Sequence, residues 1–272
     1  MLLAEGGKVV TAQPATRGFG SYVYAVGVMA LAVVCLAWGD FDPGQPVPRG
    51  FPDRTVLAYA ATAFMLVAGA CVARRRARAF AAAALCVYYA LIVVILMNGR
   101  VVLAHHTVFG SYSSTAEQLA IAAGALIVYA GSAGIDATLA ARLTRLGQLT
   151  FGVCALLFGA AHFVYLDLTA PLVPKWLPPS QMFWAYATGL GHIAAGVAIL
   201  TGVQSRLAAI LLTAMYASFT PLVHIPLLLA DPASHTNWAE NAENLALVGV
   251  AWVVADSLAR SPGPERRERL AG

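Results

Sequence analysis

Apolar residues run through this chain in eight blocks, separated by short polar or proline-rich connections. The blocks cover 19–39, 55–73, 79–97, 117–135, 147–167, 181–202, 206–229 and 241–259. A helix rises about 1.5 Å per residue, so roughly 20 apolar residues cross a hydrocarbon core about 30 Å thick. The pattern predicts an all-α membrane protein with eight transmembrane helices. Lys8 and Arg17 stand well inside the chain and no small-x-small site precedes a soluble domain. The first block is therefore expected to be a span rather than a cleaved leader.

The last four blocks copy the first four at an offset of 125–127 residues. Val47-Pro48-Arg49-Gly50-Phe51-Pro52 aligns with Val173-Pro174-Lys175-Trp176-Leu177-Pro178, Tyr89-Ala90 with Tyr216-Ala217, and Glu117-Gln118-Leu119-Ala120 with Glu243-Asn244-Leu245-Ala246. An even number of spans per copy inserts both copies the same way, which predicts two tandem parallel four-helix units. The expected division is a tail 1–18, a first unit 19–142, a second unit 143–260 and a tail 261–272. Small residues at helical spacing, Ala155/Gly159 and Ala187/Gly191, would let backbones approach closely in lipid.

Composition agrees with lipid as the main solvent. Of 272 residues, 60% are hydrophobic and 11% charged, against about 25% charged in soluble domains. That excludes a cytosolic enzyme or a disordered chain. The net charge of +4 reads as orientation. With both termini on one side, that side carries thirteen cations, Lys8, Arg17, Arg74, Arg75, Arg76, Arg78, Arg142, Arg145, Arg206, Arg260, Arg266, Arg267 and Arg269. The other carries four, Arg49, Arg54, Arg100 and Lys175. The bias places both termini in the cytoplasm and needs no nucleic-acid partner. Trp38, Trp176, Trp184 and Trp238 fall at the outer helix ends, where indoles favour the headgroup layer.

Candidate chemistry gathers in the outer half of the second unit. His162, His192 and His224 replace Ala37, Met65 and Met97 of the first unit, and Pro221 and Pro226 replace Val94 and Gly99. Ionisable groups within a span are costly and usually face the bundle interior. Pro221 frees the carbonyl of Ala217 and kinks its helix. Helix rise places His162 about 8 Å, His192 about 16 Å and His224 about 3 Å below the outer edge, an inward ladder rather than one metal centre. The residues leave several readings open: helix glue, a quinone site, haem or metal ligation, or a solute path. Tyr186, Tyr216 and Glu243 are the candidate supporting groups. Glu117 and Glu243 recur at matching helix starts, where a carboxylate suits the dipole. Cys35, Cys71, Cys86 and Cys154 form no C-x-x-C pair, which speaks against dithiol exchange. The Arg74-Arg75-Arg76-Arg78 run reads as topology and lipid contact, and His105 and His106 as a solvated outer loop.

Span six, Trp184-Ala185-Tyr186-Ala187-Thr188-Gly189-Leu190-Gly191-His192-Ile193-Ala194-Ala195-Gly196, with Leu222-Val223-His224-Ile225-Pro226 and Asn237-Trp238, resembles the DoxX-like membrane proteins over 147–258. The resemblance implies a four-helix unit in a bacterial inner membrane. Some relatives are small subunits of quinone-linked sulfur oxidoreductases, and others assist membrane complexes. The expectation is a redox-linked subunit that binds a quinone-like ligand through His162, His192 and His224 and meets a redox partner subunit in the bilayer. The alternative is a non-catalytic accessory protein whose histidines are structural; a haem or metal protein and a small-solute transporter stand behind both.

Overall fold

A computed structural model describes residues 18–260, and these form helices and connections with no strand among them. The two tails, with Lys8, Arg17, Arg266, Arg267 and Arg269, lie outside the described residues. Seven of the described helices are long and apolar enough to cross a membrane. They are α1 (Gly20–Trp38), α2 (Arg54–Ala73), α3 (Arg78–Ala104), α5 (Ala137–Val164), α6 (Gln181–Thr201), α7 (Ser205–Ala230) and α8 (His235–Arg260). Between them, α4 (Phe109–Ala130) is as long as several of these but opens on polar residues.

Several boundaries correct the sequence reading: the block expected at 79–97 runs on to Ala104, and the one expected at 147–167 begins at Ala137, so the expected division at 142/143 falls inside α5. The block expected at 117–135 begins at Phe109 and ends at Ala130, and the one expected at 241–259 begins at His235. The added turns are polar, so an apolar count stops short of them, yet Ser111 within them and Gln118, Glu243 and Asn244 just after them are buried. These residues face other helices. Glu117 and Glu243 consequently lie in the third turn of their helices, and neither helix has an acidic residue in its first turn. The capping expectation does not hold.

The halves interlock. α1 packs far more extensively on α8 than on α4, and α5 more on α4 than on α8, while α4 also meets α8. Glycine permits the approach of α1 to α8: a Cβ on Gly27 would stand 2.4 Å from Ala246 Cα, and one on Gly249 2.3 Å from the Tyr24 nitrogen. Long polar side chains tie the remaining pairs. The Tyr24 hydroxyl donates to the Ile121 carbonyl at 3.1 Å, and Gln148 Nε2 to Ser257 Oγ at 3.0 Å. On the end opposite the cavity described below, Arg145 donates to the last carbonyls of α6, Ile199 at 3.0 Å and Leu200 at 2.7 Å. Arg78 likewise has a structural task, donating to the Val72 carbonyl at 2.8 Å and lying over the Tyr22 ring.

Both α3 and α7 pass through a widened π turn, at Tyr88–Asn98 and Thr220–His224. The i−5 bonds that close them, Gly99 N–H to Val94 O and Ile225 N–H to Thr220 O, stand 126 residues apart. Proline is not the sole cause of the distortion, since the α3 turn contains none. Such turns concentrate at functional positions.

Candidate functional site

α5 and α6 come within backbone contact because glycines face glycines. A Cβ on Gly159 would stand 2.7 Å from the Gly189 carbonyl, and a Cβ on Gly196 2.8 Å from the Gly152 carbonyl. Gly191, expected to share this task, has only the Met215 sulfur within reach, at 3.5 Å. The close crossing brings His162 against His192, with ring centroids 5.1 Å apart. Helix rise alone separates them by about 8 Å in depth. The ladder is thus a touching pair, because α5 ends at Val164 and a short helical turn, 166–172, carries the chain on before α6 begins.

Each imidazole makes its hydrogen bond within its own helix. His162 Nδ1 lies 2.9 Å from the Phe158 carbonyl and His192 Nδ1 2.8 Å from the Thr188 carbonyl. A carbonyl only accepts, so both Nδ1 atoms carry the proton and the neutral rings offer Nε2 as an acceptor. The Tyr216 ring lies 5.4 Å from that of His192, and Phe158 and Phe219 flank it at 6.0 and 6.4 Å.

These groups line one cavity of about 410 Å³. α5 contributes Phe158 and His162, α6 Ala185, Thr188 and His192, and α7 Tyr216, Phe219, Val223 and His224. α8 brings Glu240, Glu243, Asn244 and Leu247, and the turn after α5 brings Thr169, Leu172 and Val173. The first half also reaches in, through Ser113, Ser114 and Glu117 of α4. Five of the six residues expected from sequence therefore meet here. Tyr186 does not. One position past Ala185, it turns outward, is 41% exposed and lies against Phe163 at 5.8 Å. Glu117, Glu240 and Asn244 are the lining groups that sequence reasoning left without a ligand role, although the recurrence of Glu117-Gln118 as Glu243-Asn244 marked two of them.

The polar wall is only partly satisfied by the protein. Glu243 Oε1 accepts from Gln118 Nε2 at 2.6 Å. Asn244 Nδ2 donates to the Tyr216 carbonyl at 3.0 Å and to Thr220 Oγ1 at 3.1 Å. It thereby serves a carbonyl beside the backbone break that Pro221 makes. Among the described residues the Tyr216 hydroxyl and His224 Nδ1, both on residues that line the cavity, are buried and have no partner. Buried polar atoms are nearly always paired, so these mark where a bound group or water would complete the network.

Outside the spans, Asp42 lies in the α1–α2 connection and is 2% exposed. Its Oδ1 accepts the Gly44 N–H at 2.5 Å. Burial pushes its carboxyl up to about 6, the Gly44 N–H opposes that rise, and the Glu240 carboxylate adds to it. Gly44 in turn lies against Gln118, where a Cβ would come within 2.2 Å of Nε2. Among the described residues no three His, Cys, Asp or Glu side chains are arranged to hold a metal ion.

Residues 151–255 match a family model described as Domain of unknown function (DUF8561). No curated protein and no solved structure matches the chain. The matched segment runs from α5 into α8 and holds most of the cavity wall, but not the α4 residues that complete it.

Proposed function

We propose that the second half of this protein binds a quinone or a similar ligand, as a redox-linked subunit of a bacterial inner membrane related to the DoxX-like proteins. The observation that carries this reading is the pair of imidazoles in one cavity, each with Nδ1 committed to its own helix and Nε2 left as acceptor. Helix glue would join neighbouring helices through those bonds, and here they run within one helix. The cavity volume of about 410 Å³ is in the range of small-molecule sites, about 300–1,000 Å³. Phe158, Phe219 and Val223 supply apolar walls for a flat ring. Oxidation of a bound hydroquinone would release two protons and two electrons. The imidazoles and Glu243 are placed to take protons, and the electrons would pass to a partner subunit.

The same reading makes α4 the eighth span, with two tandem parallel units and both termini cytoplasmic. The 126-residue spacing of the π turns supports the repeat. The reciprocal pairing of α1 with α8 and of α5 with α4 is what a two-fold relation along the membrane normal produces. Ser111 and Gln118, at the polar start of α4, are buried.

The test is binding of a short-chain quinol to detergent-purified protein and to its His192→Leu variant. The reading expects saturable binding that the variant loses while its helical circular dichroism is unchanged. Equal affinity in the two proteins would overturn it.

A further inference from the structure

The repeat gives both halves the same pair of positions, Met65 with Tyr89 in the first and His192 with Tyr216 in the second, each 127 residues apart. In the first half this place is filled from within. The α1–α2 connection folds inward and buries Gln45, which is 1% exposed. Gln45 Nε2 donates to Met65 Sδ at 3.6 Å, and its Oε1 accepts the Tyr88 hydroxyl at 2.7 Å. Tyr89 also donates to Met65 Sδ, at 3.3 Å, and Asn98 holds the inserted connection by donating to the Gly44 carbonyl at 3.0 Å. Met65 is thus the acceptor for an amide N–H presented by the protein itself.

The second half keeps the acceptor and lacks the plug. At the register of Gln45 stand Pro171 and Leu172, neither with a side-chain donor, and Leu172 forms only wall. His192 replaces the thioether with a stronger acceptor. His162 offers a second one beside it, and the Tyr216 hydroxyl is without a partner.

We propose that the cavity selects its ligand by the ligand's own hydrogen-bond donors, binding a hydroquinone in preference to the quinone, with one phenolic O–H on His192 Nε2 in the place the Gln45 amide takes in the first half. This rests on the quinone-site reading above. A quinone carbonyl facing His192 Nε2 would set acceptor against acceptor and leave the imidazole unpaired even where the Tyr216 hydroxyl donates to that carbonyl, whereas a phenol satisfies the imidazole. Tighter binding of the reduced form raises the potential of the bound couple, by about 30 mV for each factor of ten in a two-electron couple.

Anaerobic equilibrium dialysis of the full chain in detergent, with decyl-ubiquinone and separately with its chemically reduced quinol, tests the inference. The quinol is expected to bind about tenfold tighter or more, the scale of one hydrogen bond gained. His192→Met, which restores the first-half residue, should narrow the preference, as should His162→Gln if the first variant misfolds. Quinone binding equal to or tighter than quinol, or a preference unchanged in a folded variant, overturns the inference and leaves the quinone-site reading in place. Binding of neither form overturns that reading, and the inference with it.

Discussion

The rings of His162 and His192 lie 5.1 Å apart on two helices whose backbones meet at Gly159 and Gly189. The histidine pair depends on the glycine pair, since a side chain at either glycine would drive α5 and α6 apart.

Gly159→Val should therefore lower stability by about 1–3 kcal/mol, the usual cost of forcing extra carbons into a packed contact. It should also reduce ligand affinity by separating the two imidazoles. Thermal melts in detergent and a binding isotherm on the same variant check both effects.

Asn244→Ala removes the donor that serves the Tyr216 carbonyl beside Pro221. An orphaned buried carbonyl costs about 1–3 kcal/mol. Asn244→Asp keeps the shape but loses the N–H, so it should be destabilised as well. A melting temperature equal to wild type in both variants would contradict the assigned role.

Asp42 gives a pH dependence with a definite sign. Its folded value, about 6, lies above the ordinary 3.8, so the folded state prefers the neutral acid. Its stabilising contribution is complete below about pH 4 and is lost as pH rises through 6. Asp42→Asn removes the titrating group, so its stability relative to the wild type should rise as pH goes from 4 to 7. The carboxamide oxygen still accepts the Gly44 N–H. Melting curves of both proteins across pH 4 to 8 read the difference.

Much of the fold was legible in the sequence because lipid imposes a simple length rule. The apolar runs located the seven apolar helices, and the repeat located the histidines. What escaped were polar residues doing interior work. Phe109 to Ala116 read as a loop because their apolar neighbours begin later, yet they are helical and Ser111 and Ala116 are buried. Asp42 and Gln45 sit in a Pro- and Gly-rich connection between two apolar blocks, and both are buried. Tyr186 and Ala185 differ by one step of about 100° around α6, and that step decides which faces the cavity. Depth along single helices placed the histidines on a ladder, and only the glycine contacts, which are tertiary, bring two of them together.

A quinol-type ligand in the cavity beside His192 would purify with the protein. The most direct measurement is mass spectrometry of a solvent extract from gently purified protein, alongside the His192→Leu variant prepared identically. A quinone or quinol near one per chain is expected in the wild type, and its loss from the variant. An extract of bulk lipid alone, with no saturable binding when quinol is added back, would contradict it.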